Sequence, residues 1–448
     1  MKTPRLGLIS LSGVRVRDEV LLREGMTLPG FVERSEVIAS LPSLGLLTLA
    51  SHTPSHWEIE YLDIDDLTDQ ALARMLGSGF DIIAISALSA RIFEAYSLAD
   101  TLRENNITVI LGGLHVSALP YEAALHADAV VVGEGEAVWP QLIADFEVQR
   151  LQSQYSSFSQ PFQFCHSRTP RYDLLDISKY NRLTLQTTRG CPLDCAFCAA
   201  SKTISRWKTK PLDHVRRDLE AILKIWPRPF LELADDNSFA DKKYARELVR
   251  LLGEYNVPWF TESDISLADD DELLELLALA NCAQVLVGLE SANYKSLKDI
   301  DRANWKARRA DKTLVAIEKI QSHGVSVNGC FVLGLDEDDE HVFEATRNWV
   351  RASNLSEVQI TLLTPFPGTR LYHQLSHQKR LLQPIFWERC TLFDINYLPA
   401  HLSAQELHSG FTWLMRELYN PVETAKRKAH FKACRKARRT FTAHATLS

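Results

Sequence analysis

No apolar run in this chain reaches the roughly 20 residues of a membrane-spanning helix. The start, Met1-Lys2-Thr3-Pro4-Arg5, leads into a short strand-like run and lacks the core of a signal peptide. Both absences predict a cytoplasmic protein. Excess positive charge is missing too: 50 basic residues stand against 57 acidic ones, a net charge of -7, which argues against general nucleic-acid binding by the whole chain. Its eight cysteines are not spread as the framework of a small secreted domain, and thiolates that hold iron need a reducing compartment. A dinucleotide G-x-G-x-x-G after the first strand is also lacking, so a dinucleotide is not the favoured ligand.

What the chain does have is Cys191-Pro-Leu-Asp-Cys195-Ala-Phe-Cys198, three cysteines in eight residues. A zinc knuckle needs a fourth donor, but the next cysteine is Cys282 and the next histidine is His214. Three unrelated core cysteines would gain nothing from such dense spacing in a turn carrying Gly190, Pro192 and Asp194. Three thiolates on one tight loop instead hold three irons of a four-iron cluster and leave the fourth iron open. The run C-x3-C-x2-C, with Thr187-Thr188-Arg189-Gly190 before it and Phe197 ahead of the last cysteine, resembles the cluster loop of radical S-adenosylmethionine (SAM) enzymes. That resemblance implies Cys191, Cys195 and Cys198 as ligands of a [4Fe-4S] cluster whose open iron takes the amino and carboxylate groups of SAM. Phe197 is implied as a cofactor contact.

The 448 residues suggest two or three domains. From Arg5 to about Gln149 short apolar runs alternate with helical patterns, the rhythm of a doubly wound α/β domain. Five strands are predicted: Leu6 to Ser10, Ile59 to Asp63, Asp81 to Ser86, Thr108 to Leu111 and Ala129 to Gly133. Ligands of such sheets sit beyond the carboxyl ends of the strands. Those ends read Ser86-Ala-Leu88-Ser89, Gly112-Gly113-Leu-His115 and Gly133-Glu134-Gly135-Glu136, small enough for a flat or phosphate-bearing ligand to approach the backbone. The stretches Val109 to Ala123 and Asp128 to Glu136, with Pro42 to Ala50 before them, resemble the cobalamin-binding domain of class B radical SAM enzymes. The resemblance implies cobalamin held by Ser86, Leu88, Ser89, Gly112, Gly113, Gly133, Glu134 and Gly135. The D-x-H-x-x-G motif, whose histidine ligates cobalt in many cobalamin proteins, is absent, so the lower axial ligand has no candidate from that motif. His115 fits a place near the corrin and equally a hydrogen bond to its own loop.

The expected division is a cobalamin domain over residues 1–150, a Ser/Gln-rich linker over 151–180, a radical SAM domain over 181–385 and a helical region with a basic tail over 386–448. In the third segment six βα units follow one another from Leu183, and an eight-unit barrel takes roughly 250 residues, so a partial (β/α)6 barrel is predicted. Strand ends there carry Asp235-Asp236-Asn237, Glu262 with Asp264, Gly288-Leu-Glu290-Ser291 and Gly334. Each alone also fits a solvated loop; together, in order, they resemble the family's SAM contacts. The basic run from Lys426 to Arg439 reads as a frayed, solvated tail, with contact to anionic lipid or nucleic acid as its alternative.

The resemblance implies a cobalamin-dependent C-methyltransferase acting on a small molecule or lipid, fed by an external electron donor such as flavodoxin or ferredoxin. An oxidative cyclase or ring-rearranging enzyme with the same cofactors is the alternative. A non-catalytic cobalamin or iron-sulfur sensor is a third reading. No acid or base side chain is singled out, and neither motif reads the acceptor.

Overall fold

The computed structural model describes residues 3–11, 13–24, 37–38, 41–200, 203–382, 384 and 387–445. Its first layer is a parallel sheet of β1 (Arg5–Leu11), β2 (Glu58–Asp63), β3 (Ile82–Ala87), β4 (Thr108–Gly112), β5 (Ala129–Val132) and β6 (Gln154–Ser156), in the order β2-β1-β3-β4-β5-β6. The central strands are apolar almost throughout, as a sheet covered on both faces requires. Crossover helices α1 (Leu44–His52), α2 (Asp69–Gly77), α3 (Ile92–Glu104) and α4 (Gly135–Glu147) supply the cover. The order reverses between β1 and β3, which opens a crevice at the carboxyl ends of β3, β4 and β5. All five expected strands are present. The sixth, β6, lies in the Ser/Gln-rich segment that reads as a linker, where Val130 to Val132 pair in parallel with Gln154 to Ser156.

The second layer is an open barrel of six parallel strands that pair in chain order: β7 (Leu183–Leu185), β8 (Leu231–Leu233), β9 (Trp259–Ser263), β10 (Cys282–Glu290), β11 (Ser326–Leu333) and β12 (Glu357–Leu362). Helices α5 (Leu212–Ile225), α6 (Lys242–Gly253), α7 (Asp271–Leu279), α8 (Thr313–Ser322), α9 (Val342–Ser353) and α10 (Arg370–His377) accompany them. In α5 the buried Val215, Leu219 and Ile222 recur at helical spacing and turn one stripe toward the sheet. In α6 Asp241 caps the start, its carboxylate accepting from the amides of Lys243 at 2.9 Å and Tyr244 at 3.1 Å. This is the partial (β/α)6 barrel expected from the sequence.

After the barrel, α11 (Ala404–Tyr419) starts with a capping box of Ser403 and Glu406 and packs Phe411, Leu414 and Leu418 into the barrel core. The basic segment beyond it is a helix, α12 (Pro421–Ala445), which corrects the expectation of a frayed tail. The Arg427 side chain is buried and donates to the Leu418 carbonyl at 2.8 Å, while Arg438 pairs with Glu275 at 2.6 Å. Carboxylates far back in the chain thus neutralise charges that look solvated in the sequence. Trp387 and Cys390 join the core of the first domain. No helix among the described residues is long and apolar enough to cross a membrane.

Candidate functional site

The cysteine loop leaves β7 through Gln186 and Thr187, and Asp235 at the end of β8 fixes it there. This carboxylate is 4% exposed and accepts from the amides of Thr187 and Thr188, both at 2.8 Å, from the Thr187 hydroxyl, and from Ser238 Oγ at 2.7 Å. Thr188 and Arg189 then pair antiparallel with Lys208 and Thr209. Gly190 follows at φ 84°, where a Cβ would stand 2.6 Å from the Trp207 amide nitrogen, so only glycine lets the loop turn there.

Two further segments grip the loop from outside: the Ala196 amide donates to the Ile300 carbonyl at 2.8 Å, and the Ala196 carbonyl accepts from the Leu371 amide at 2.9 Å. Cys191, Cys195 and Cys198 are all half-buried. Their thiols are near enough to influence one another's ionisation, yet the three sulfurs do not all lie within 4.8 Å of one another. One zinc ion at about 2.3 Å from each sulfur would draw them closer than that. Three separate irons suit the wider triangle, so the donor set fits a cluster. Burial pushes the Cys195 thiol up to about 12, against the pull of the Lys306 ammonium, and burial pushes Cys198 up to about 11. A bound metal reverses this, because a ligating thiol is deprotonated outright.

Lys306 is the cation that acts most on Cys195. Its ammonium lies 2.7 Å from Glu290 Oε1 and 2.7 Å from the Gly288 carbonyl, and both side chains of the pair are nearly buried. Glu290 sits at φ 67°, in the left-handed region, where the β10 to β11 register shifts. Such a bulge re-aims a side chain at a strand end, and the strain is held by the surrounding contacts. Glu262, on β9, opens on the lumen of the barrel. Its side chain is exposed to that lumen, and the surrounding barrel wall with the nearby carboxylates, led by Asp236, raises its pKa.

Between the two layers lies a cleft of about 390 Å³. The first domain lines it with Leu44, Gly45 and Leu49 of α1, Ser86, and the two glycine turns Gly112-Gly113 and Gly133-Glu134-Gly135. The barrel contributes Gln186, Arg189, Ala200, Ile204, Ala234 and Asp236. A Cβ on Gly45 would meet nothing within 4 Å, so the backbone of α1 is open to a ligand there. A flat macrocycle fits such a cradle of glycines and aliphatic side chains.

An ion-pair node closes one wall of the cleft. Arg189 donates to Glu134 Oε1 at 2.8 Å and to Glu136 Oε1 at 2.6 Å, and the Lys208 ammonium also reaches Glu134. Burial alone would raise Glu136, but the Arg189 guanidinium brings its carboxyl down to about 2. The first domain's last glycine turn is therefore bonded directly to the residue before Gly190 in the cluster loop.

Of the expected residues, Ser86, Gly112, Gly113, Gly133, Glu134 and Gly135 line the cleft together with Asp236. Leu88, Ser89 and His115 do not. His115 is 1% exposed, with Nδ1 3.1 Å from Ser89 Oγ and Nε2 3.2 Å from Glu122 Oε1, so the structure favours the loop hydrogen bonds over a place at the corrin. Asp235 spends its oxygens on the cluster loop, and the Glu134 carboxylate is taken by Arg189 and Lys208. Both hold the site in place. Asn237 donates to Asp264 at 2.8 Å, while its buried Oδ1 has no hydrogen-bond partner. Ser291 lines a second cavity, of about 580 Å³, with Asp264, Gly288 and Lys306. At Gly334 the Tyr397 hydroxyl donates to the carbonyl at 2.6 Å, so that glycine makes room for Tyr397. Phe197 packs on the barrel core. Lys306, Arg189, Lys208 and Gly45 were not singled out in the sequence. Only the quoted runs Thr187 to Gly190 and Pro42 to Ala50 carried a signal for two of them.

Residues 185–349 match the Radical SAM superfamily, and residues 35–143 match the B12 binding domain. Among characterised relatives, the bacteriochlorophyllide d C-8(2)-methyltransferase of Chlorobaculum tepidum is 28% identical, over 85% of this chain and 88% of that protein. The bacteriochlorophyllide d C-12(1)-methyltransferase of the same organism is 25% identical, over 87% of this chain and 84% of that protein. The radical SAM methyltransferase TsrM from Kitasatospora setae, solved with tryptophan substrate and a SAM analogue, superposes with a TM-score of 0.72 at 14% identity, covering 98% of this chain and 99% of that one. That likeness shows a shared fold across both layers.

Proposed function

Since the chain belongs to the cobalamin-dependent radical SAM enzymes, with a [4Fe-4S] cluster, SAM and cobalamin as cofactors, we propose that it methylates an unactivated carbon of a small-molecule or lipid substrate. The observation that carries this reading is the single cleft lined both by the glycine turns of the first domain and by Gln186, Ala234 and Asp236 from the barrel. Methyl transfer to an unactivated carbon needs a methyl donor and a radical generator facing one substrate. The two relatives that match 85% and 87% of this chain are named as methyltransferases.

When bound, the cofactors supply one-electron cleavage of SAM and delivery of a methyl group. The chain's own side chains bind, orient and shield. Cys191, Cys195 and Cys198 hold three irons. Asp235 fixes the strand end that presents them, and Lys306 with Glu290 sets a fixed charge pair beside Cys195. Leu44, Leu49 and Ile204 give the cleft an apolar lining, and Gly45 leaves the backbone of α1 open for a macrocycle to lie against. Thiolates that hold iron need a reducing compartment, which supports a cytosolic enzyme, and one-electron cleavage calls for an external donor such as a flavodoxin or ferredoxin. Exposed Lys432 and Arg435 on α12 support peripheral contact with an anionic membrane.

The test is to reconstitute the protein anaerobically, reduce it, supply SAM and measure both SAM-derived products. A methyltransferase of this kind gives 5′-deoxyadenosine and S-adenosylhomocysteine, and Cys195→Ala loses the 5′-deoxyadenosine. An oxidative cyclase gives 5′-deoxyadenosine without the homocysteine product. A sensor gives neither, and that result would overturn the assignment.

A further inference from the structure

Far from the cleft, α12 crosses α8, and three side chains of ligating chemistry converge there. His430 and Cys434 are four residues apart on α12, which sets them on one face of the helix. Glu318 comes from α8. One ligand atom of each lies within 4.8 Å of the others, the sole such group of three His, Cys, Asp or Glu side chains among the described residues. His430 Nε2 is 3.2 Å from Glu318 Oε2 and 3.5 Å from Cys434 Sγ.

Those two separations are informative. Tetrahedral zinc, with bonds of about 2.0 Å to nitrogen or oxygen and about 2.3 Å to sulfur, sets nitrogen and oxygen ligands about 3.3 Å apart and nitrogen and sulfur ligands about 3.5 Å apart. Without an ion the same distances are an ion pair and a thiol–imidazole hydrogen bond between neighbours on one helix face; what points to a metal is that all three ligand types meet at one point. We propose that Glu318, His430 and Cys434 bind a zinc ion that pins α12 to the barrel, with the fourth position left to water.

The donor set selects the ion: magnesium and calcium prefer oxygen ligands, whereas one thiolate, one imidazole and one carboxylate suit zinc. The Glu318 side chain is 50% exposed and that of His430 is 32% exposed, so an entry path exists. The fold also has a use for the ion. Apart from Arg427, α12 is tied down by partly exposed ion pairs such as Arg438 with Glu275 and Lys428 with Glu357, and pairs of that kind hold a helix weakly.

The experiment uses the holoprotein, in which iron occupies the three loop cysteines and keeps zinc from them. After exposure to Zn²⁺ and desalting, elemental analysis should find one zinc per chain beyond the cluster iron, and zinc-edge X-ray absorption should show one sulfur among lighter ligands. His430→Ala and Cys434→Ser should each weaken zinc binding at least tenfold against a chromophoric chelator, with iron content unchanged. Should either variant lose helical signal, Glu318→Gln, on the exposed face of α8, gives the same reading. A wild type that holds no zinc, or zinc held equally by the wild type and all three variants, would overturn the proposal.

Discussion

Arg189→Met is expected to destabilise the protein by about 3–5 kcal/mol, the cost of leaving a buried charge without its partner. Lys208 still reaches Glu134 in the variant, but Glu136, with its side chain 8% exposed, loses its only direct ion pair and keeps the more distant Lys208 and His52 as weak countercharges. The loss should appear as an earlier first transition in guanidinium unfolding, compared between variants because a chain of two domains need not unfold in one step. The effect carries a pH signature. The Glu136 carboxyl is held near 2, below its ordinary 4.5, so its contribution of about 3 kcal/mol is complete above pH 4.5 and is lost as the pH falls toward 2. Arg189→Met should erase that slope relative to wild type. Arg189→Lys should restore part of the stability, since it keeps a cation but not the two-pronged geometry that spans both carboxylates. If Arg189→Met unfolded like wild type at neutral pH, the node would not join the two layers.

The second large effect is expected at Asp235. Asp235→Ala removes the acceptor from two buried amides and two hydroxyls. At about 1–3 kcal/mol for each unsatisfied buried group, partly relieved where a hydroxyl finds another acceptor, the loss is about 3–5 kcal/mol. The strand end that presents Cys191 also loses its anchor, so reconstituted Asp235→Ala should retain far less iron per chain than wild type. Asp235→Asn keeps one oxygen for the Thr187 and Thr188 amides and should retain most of its iron. Equal iron in wild type and Asp235→Ala would show that Asp235 does not position the loop.

These two residues mark where sequence reading runs out. The cysteine spacing, the glycine turns and the alternation of strands and helices are local patterns, and the structure has the parallel sheet and the six-stranded barrel that the alternation indicated. Asp235 and Glu134 stand in the right motifs, but their partners come from other strands or the other domain: Thr187 lies 48 residues from Asp235, and Arg189 lies 55 residues from Glu134. No periodicity predicts such a pairing. The same holds for α12, whose lysines and arginines look solvated until Glu275 and Glu357 are brought beside them. For His115, the decisive partner Glu122 is only seven residues away, but a short break between two helical segments turns it inward. Strand β6 escaped notice because three residues in a polar stretch form a strand only by pairing with β5.

In the proposed arrangement two cofactors take separate seats, the corrin in the cleft against α1 and the glycine turns, the cluster on the cysteine loop that adjoins it. Counting corrin and iron per chain after anaerobic reconstitution and desalting tests this directly in three proteins. Wild type should retain one corrin and one four-iron cluster. Gly45→Phe, which fills the open space at α1, should lose the corrin and keep the iron. Cys195→Ala should lose iron and keep the corrin. A wild type without corrin, or a Gly45→Phe protein that retains as much corrin as wild type, would contradict the account.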